Sequence, residues 1–198
     1  MKQVVVGMSG GVDSTVAAFR LKDSGYEVHG VMLRLWKAGD AFTHSQEEHE
    51  SSAMEAARQL GIRFEILDVR QQFRDRVVAY FIRGYEQGIT PNPCFFCNRM
   101  LKFDFLQQYA DQHQLDWISS GHYARVERSN GEVHLYRGVD PKKDQSYMLS
   151  SLRIDQLSRL VLPLGTMTKT EVRQIAQEQG FQAAASKESQ DVCFLPVG

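Results

Sequence analysis

Ser9-Gly10-Gly11-Val12-Asp13-Ser14-Thr15 directly follows the apolar run Val4-Val5-Val6, an order that joins a buried strand to a helix through a glycine-rich turn. Two adjacent glycines let the backbone bend sharply and aim successive N–H groups into one concavity. The hydroxyls of Ser9, Ser14 and Thr15 add donors at a helix N-terminus, where the dipole already favours an anion. The chemistry such a turn serves is the cradling of phosphates. Asp13 sharpens the reading, because a carboxylate among phosphate donors makes sense chiefly as a magnesium ligand. The spacing is neither the G-x-x-x-x-G-K-S/T of a kinase-type loop nor the G-x-G-x-x-G of a dinucleotide fold. The bland alternative is a glycine turn with a serine N-cap, and the strand before, the helix after and Asp13 all weigh against it.

A second cluster, Thr90-Pro91-Asn92-Pro93-Cys94-Phe95-Phe96-Cys97-Asn98, carries two thiols in C-x-x-C spacing. Cysteines near a helix start have depressed pKa values, which makes the thiolate available at neutral pH. A zinc knuckle needs four ligands, and only Cys193 remains besides histidines. A thioredoxin-like redox motif does not carry flanking prolines or a separate phosphate loop, and an incidental pair stays open on the spacing alone. Cys193 ends the polar stretch Ser186-Lys187-Glu188-Ser189-Gln190-Asp191-Val192-Cys193-Phe194, where a buried core cysteine is the ordinary expectation.

Strands and helices must alternate to position these residues, as in a parallel sheet with helices on both faces. Tyr26 to Trp36, centred on Val31-Met32-Leu33, reads as a second strand after a helix stop at Gly25. Gln46 to Leu60 reads as a helix ending at Gly61, Phe64 to Val69 as a third strand, and Phe73 to Tyr85 as a helix. The prolines of Ile89 to Asn98 argue for a loop there. Met100 to His113 has helical period, and Trp117 to Ser120 is a fourth strand. Asn130-Gly131 marks a hairpin within Tyr123 to Val139. Lys142 to Tyr147 leads into a helical stretch, and Thr168-Lys169-Thr170-Glu171 is a capping box opening a helix that ends at Gly180.

The 198 residues suit one compact domain with a small appendage, large enough to bury about 70% of the unfolded surface. Lys and Arg total 23 against 24 Asp and Glu, a formal charge of −1. That balance does not advertise nucleic-acid binding, although a local basic patch fits inside a neutral total. No segment approaches the roughly 20 apolar residues needed to span a bilayer, so no membrane partner is expected. The chain enters its first strand at once, without a signal peptide. Three cysteines, an odd number, suit a reducing, cytoplasmic setting better than a disulfide framework. Pro196-Val197-Gly198 supplies no closing element, and a truncated chain is expected.

The S-G-G-x-D-S pattern resembles the pyrophosphate loop of the ATP pyrophosphatases. Taken in order, Gly7 to Ser14, Thr90-Pro91-Asn92-Pro93, Cys97-Asn98, Lys102-Phe103, Gly121-His122-Tyr123, Lys143-Asp144-Gln145-Ser146-Tyr147, Pro163-Leu164-Gly165, Lys169-Thr170-Glu171-Val172-Arg173 and Cys193-Phe194 resemble the N-terminal part of the tRNA-specific 2-thiouridylases. The resemblance spans essentially the whole chain. It implies a doubly wound, mostly parallel α/β fold of the adenine nucleotide alpha hydrolase-like type. A catalytic domain would occupy residues 1–150 and a small, mostly helical region 151–198, with a further β-rich portion of the family lying beyond. The implied reaction is transfer of AMP from ATP to the 2-oxygen of the tRNA wobble uridine, followed by sulfur transfer from a cysteine persulfide.

The same resemblance assigns residues. Gly7-Met8-Ser9-Gly10-Gly11-Val12-Asp13-Ser14, Leu33 and Gly121 would hold ATP, with magnesium at Asp13. Asn92, Pro93 and Cys94 fall at the target base, while His122, Lys143, Asp144 and Gln145 would contact tRNA. Cys193 would carry sulfur delivered by a cysteine desulfurase or a sulfur-relay protein. Cys97 would be the partner thiol, able to close a disulfide with Cys193. Better-known members carry aspartate where this chain has Cys94, which unsettles the acid–base assignment. It also opens a rival route, in which Cys94, Cys97 and Cys193 hold an iron–sulfur cluster with one iron open. Other classes stay in view: an amide-forming ATP pyrophosphatase, which has no need of the cysteines, and a nucleotide sensor, which would not exchange pyrophosphate.

Overall fold

Val4 and Val6 pack into one hydrophobic layer and Val5 into the other, and all three are fully buried. Strand β1 (Gln3–Gly7) is therefore covered on both faces, which is why it reads as an unbroken apolar run. The structure is a computed structural model, and it describes residues 1–36, 46–185 and 192–194. After β1 come helix α1 (Val12–Asp23), strand β2 (Glu27–Arg34), helix α2 (Gln46–Leu60) and strand β3 (Arg63–Asp68). A π-helical turn at Arg74–Val78 joins helices α3 (Arg70–Phe73) and α4 (Ala79–Glu86), and a second at Asn98–Lys102 joins α5 (Pro93–Cys97) to α6 (Phe103–Gln112). Strands β4 (Trp117–Ser119), β5 (Ala124–Ser129) and β6 (Glu132–Arg137) follow. The described chain continues through α7 (Ser146–Leu149), α8 (Ile154–Ser158), β7 (Leu160–Val161) and α9 (Lys169–Glu178) to a 3-10 turn at Gln182–Ala185.

The described residues form a parallel sheet in the order β3-β2-β1-β4-β7. Helices α1, α2 and α9 cover the face of Val4 and Val6, while α6, α7 and α8 cover that of Val5. This is the doubly wound α/β arrangement expected. The first two crossovers run to one side of β1 and β4 lies on the other, so the strand order reverses beside β1. Ligands of such sheets bind in the crevice outside the carboxyl ends of the strands at that point, and the loop after β1 sits there.

Local chemistry explains the outlying elements. Asn130 and Gly131 have φ of 52° and 79°, the backbone of a two-residue hairpin turn whose twist suits β5 and β6. Thr168 accepts the Glu171 N–H, and Glu171 accepts the Thr168 N–H at 2.6 Å, closing the capping box ahead of α9. The prolines of Ile89 to Asn98 do not exclude helix as expected. Pro93 stands at the first position of α5, where its missing N–H would have no acceptor anyway, and Asn92 Oδ1 accepts the Phe95 N–H at 3.0 Å. Strand β7 was not expected, since two residues are too few to show a period. Residues after 150 thus add a strand to the main sheet and a helix over α1. Ser186 to Asp191 and Pro196-Val197-Gly198 lie outside the described residues. Among the described residues no helix is long and apolar enough to cross a membrane.

Candidate active site

The loop after β1 is held open from below. Gly10 takes φ of 78°, a conformation that favours glycine, and any Cβ there would meet the His49 carbonyl oxygen of α2. Ser52, also on α2, donates its hydroxyl to the Gly10 carbonyl at 2.8 Å. Gly11, the N-cap of α1, has no side chain to offer the first helical N–H groups. Those groups lack intrahelical acceptors and face outward as anion donors. Ser9 N–H donates to Ser14 Oγ at 3.1 Å. Contrary to the sequence expectation, the Ser14 and Thr15 hydroxyls turn back to the Gly11 carbonyl, each at 3.1 Å. They fix the loop rather than extend the donor set, and Thr15 is fully buried. Met8 N–H bonds the Val31 carbonyl at 2.8 Å, tying the loop to β2 two residues before half-buried Leu33.

Asp13 does not stand alone. Lys169 Nζ lies 2.6 and 2.8 Å from its two carboxylate oxygens, and the Tyr123 hydroxyl donates to Oδ1 at 2.7 Å. The Lys169 side chain is 10% exposed and that of Asp13 34%. Sequence reasoning missed both partners. A signal exists in Lys169: it is the first residue of α9, where the helix dipole repels a cation, so its charge needs another reason to be there.

Gly121 and His122, after β4, join the loop to the thiols. A Cβ on Gly121 would lie 2.8 Å from the Asp13 carbonyl carbon and from the Ser14 nitrogen, so only glycine lets the strand end press against the loop. His122 Nδ1 is 2.8 Å from Ser120 Oγ, and its Nε2 is 3.4 Å from Asn98 Nδ2, next to Cys97. Burial, reinforced by the Lys102 ammonium, pushes His122 down to about 3, so the ring is neutral near pH 7.

Cys94, Cys97 and Cys193 are free thiols. Cys97, Leu101 and Phe194 share one cluster, with half-buried Cys193 packed against it. Phe194 sets its ring against Phe73 of α3 and Phe81 of α4 at 5.5 and 5.2 Å, which holds the Cys193 segment in the cluster that includes Cys97. The expected depression is overturned for Cys97, which burial pushes up; burial also pushes Cys193 up to about 12, as suits the buried cysteine expected there. Cys97 ends α5 rather than starting it, and the apolar wall outweighs any help from the helix. Among the described residues no three His, Cys, Asp or Glu side chains gather closely enough to hold a metal ion.

Asn92 is exposed at the head of α5 and Pro93 is buried behind it. The remaining predicted contacts carry internal bonds. Gln145 brackets the Tyr123 backbone, its Oε1 accepting the Tyr123 N–H at 3.0 Å and its N–H meeting the Tyr123 carbonyl at 2.9 Å. Asp144 accepts the N–H groups of Gly138 and Ser146 at 3.0 and 3.1 Å, and Lys143 N–H bonds the Asp140 carbonyl at 3.1 Å.

A doubly wound parallel sheet with a glycine-rich phosphate loop at its switch point defines an ATP pyrophosphatase-like α/β domain. The family model described as the tRNA methyl transferase HUP domain matches residues 2–197, and the chain belongs to that family. It is 45% identical over 196 residues to the tRNA-specific 2-thiouridylase MnmA 1 of Geobacillus kaustophilus, covering 98% of this chain and 53% of that protein. It is 42% identical over 204 residues to the tRNA-specific 2-thiouridylase MnmA of Clostridium perfringens, covering 98% and 56%. The chain spans about half the length of the curated relatives it matches. A solved structure of the U34-tRNA thiolase NcsA from Methanococcus maripaludis with its 4Fe-4S cluster has a TM-score of 0.61 over 96% of this chain and 60% of that one. At 18% identity that likeness is one of fold.

Proposed function

We propose that this chain is the ATP-using and sulfur-carrying part of a tRNA wobble-uridine 2-sulfurtransferase. One observation carries the reading: adjacent residues Gly121 and His122 touch the phosphate loop and the Asn98 neighbour of Cys97, respectively. Two adjacent residues thus bridge the phosphate loop and the pair of thiols. The family description speaks of methyl transfer and the relatives' names of thiolation; two free thiols packed in one cluster favour thiolation.

The loop fits the triphosphate through the outward N–H groups at the head of α1, and the carboxylate of Asp13 fits a magnesium ion that would neutralise phosphate charge when bound. The uridine 2-oxygen attacks the α-phosphorus of ATP, forming an O–P bond as the bond to pyrophosphate breaks. The α1 N–H groups and the Lys169 ammonium stabilise the charge on the departing pyrophosphate. The terminal sulfur of a Cys193 persulfide then bonds to carbon 2, and AMP leaves with the C–O electron pair. The Cys97 thiol next attacks Cys193 Sγ, and its proton passes to nitrogen 3 of the uracil ring. The S–S electron pair passes to the sulfur on carbon 2, which becomes the thiocarbonyl. The Cys97–Cys193 disulfide that remains is opened by a thiol reductant.

Asn92 and Pro93 would meet the target base, with Cys94 beside them as the group that exchanges its proton. His122 and Lys143 would face tRNA, while Asp144 and Gln145 would act by bracing Tyr123 and the turn before it. A cysteine desulfurase or sulfur-relay protein would load Cys193. Residues 151–198 would lead into the further portion that the relatives' length implies. The test is pyrophosphate release by the full-length protein with ATP: release that requires a wobble-uridine tRNA supports the reading, and release indifferent to tRNA removes it.

A further inference from the structure

Asp140 reaches the phosphate loop at second hand. Its Oδ2 accepts the backbone N–H of Lys169 at 3.0 Å, and its Oδ1 accepts that of Lys142, also at 3.0 Å. The Lys169 ammonium in turn lies 2.6 and 2.8 Å from the carboxylate oxygens of Asp13. The capping box of Thr168 and Glu171 shapes the first turn of α9, but its bonds are local and do not set where that turn stands relative to the loop. Packing of α9 over α1 runs through Val172 and Ala176, about one and two turns further on. The tie at the end itself comes from Asp140, with a second close by, where the Val139 N–H meets the Gly165 carbonyl at 3.0 Å.

A carboxylate suits this place on two counts. The N–H of Lys169, at the first position of α9, has no acceptor within the helix, and the helix dipole repels the Lys169 charge. Asp140 satisfies the N–H and offsets the repulsion. The N–H bonds from Lys169 and Lys142, helped by the Lys143 and Lys142 ammonium groups, hold its carboxyl below the usual carboxylate range. The same turn braces Tyr123, the other group on Asp13. Gln145 accepts the Tyr123 N–H and donates to its carbonyl, and a Cβ on Gly138 would lie 2.9 Å from that carbonyl oxygen. Gly138 to Gln145 thus supports both groups that reach Asp13. We propose that Asp140 is a positioning residue for the adenylation step: it fixes the backbone of Lys169 so that the ammonium is held at the phosphate loop, where pyrophosphate departs. The inference rests on the role of Lys169 proposed above, and Asp140 acts through Lys169 rather than on the reacting atoms.

The test is a double-mutant cycle in the full-length protein, with Asp140→Ala, Lys169→Met and the two combined. Labelled AMP joined to wobble-uridine tRNA is timed without a sulfur donor, with enzyme in excess and ATP varied. Asp140→Ala is expected to slow adenylation at saturating ATP by about 10- to 100-fold, the scale of misplacing a catalytic group by an ångström. The ATP concentration for half-maximal rate should change little, as for an interaction made chiefly in the transition state. In the Lys169→Met background the same substitution is expected to cost less than about twofold, because no ammonium is left to position. Asp140→Asn, which keeps one acceptor oxygen, carries the same cycle if the alanine variant does not fold. A merely structural role would lower the urea midpoint while leaving the rate of the folded protein unchanged, or would slow both backgrounds alike, and either result overturns the inference. If Lys169→Met alone leaves adenylation unchanged, the role of Lys169 falls and the inference with it. If the parent attaches no AMP to tRNA, the proposed function itself falls.

Discussion

Lys169 grips both carboxylate oxygens of Asp13, at 2.6 and 2.8 Å, from 156 residues further along the chain. Asp13 lies in the first turn of α1, where its charge suits the helix dipole, but Lys169 opens α9, where an ammonium does not. The pair offsets that mismatch and places a cation at the phosphate loop. Nucleotide and magnesium would compete with Lys169 for Asp13, leaving the ammonium free to face the phosphates.

Lys169→Met is therefore expected to slow tRNA adenylation by about 100- to 1000-fold, the scale of losing one preorganised charge-stabilising donor. Stability should fall by only about 1–2 kcal/mol, because Asp13 is part-exposed and solvent screens what is left. Adenylated tRNA formed by the full-length variant, with urea unfolding in parallel, measures both. Unchanged adenylation would remove Lys169 from the chemistry.

Gly121→Ala should disturb the loop from the opposite side. The new methyl group would come within 2.8 Å of backbone atoms of Asp13 and Ser14, which cannot rotate away as a side chain can. A loss of about 1–3 kcal/mol, typical of overpacking, is expected together with a marked weakening of ATP binding. Thermal unfolding and calorimetric titration with ATP would show it. Full ATP affinity in a folded variant would contradict the close approach of β4 to the loop.

How far the sequence speaks follows from the range of each interaction. Asn130-Gly131 and Thr168…Glu171 announce their turn and cap because the deciding bonds lie within four residues. The phosphate loop is legible for the same reason, since Gly10, Gly11 and the strand before them are one local motif. Pro93 misleads when read as a helix breaker, because a first-turn position is the one helical place that tolerates it. Cys97 misleads as well: nearness to a helix start suggests a thiolate, whereas Phe194 and Leu101, brought in by tertiary packing, share its burial. Lys169 with Asp13, and Tyr123 with the same carboxylate, join residues far apart in the chain. No periodicity encodes such pairs.

His122 makes stability depend on pH with a definite sign. Its folded pKa is about 3 against 6.5 for the free side chain, so between these values the unfolded chain binds a proton that the folded chain refuses. Stability therefore falls as pH drops from about 6.5 toward 3. Buried His29, also depressed by desolvation, adds to the same trend. His122→Asn should flatten the loss seen between pH 7 and 5 in urea midpoints. An equally steep loss in the variant would mean that His122 is protonated in the folded protein.

Cys94→Asp is expected to retain thiouridine formation in the full-length protein without bound iron. Cys94 is half-buried at the start of α5, and an aspartate there supplies a carboxyl group able to exchange a proton. Thiouridine by mass spectrometry of digested tRNA, with iron measured alongside, is the readout. Loss of activity together with loss of iron from the parent would favour a cluster-bound sulfur route.

The most direct test is the full-length protein carrying Cys193→Ser, given wobble-uridine tRNA, ATP labelled at the α-phosphate, magnesium and a sulfur donor system. Activation precedes sulfur transfer in the account above and uses the loop, Asp13 and Lys169 but not Cys193. Labelled AMP should therefore become attached to tRNA while no 2-thiouridine forms. Thiouridine made at the unmutated rate, or a tRNA that never acquires label, would contradict the account.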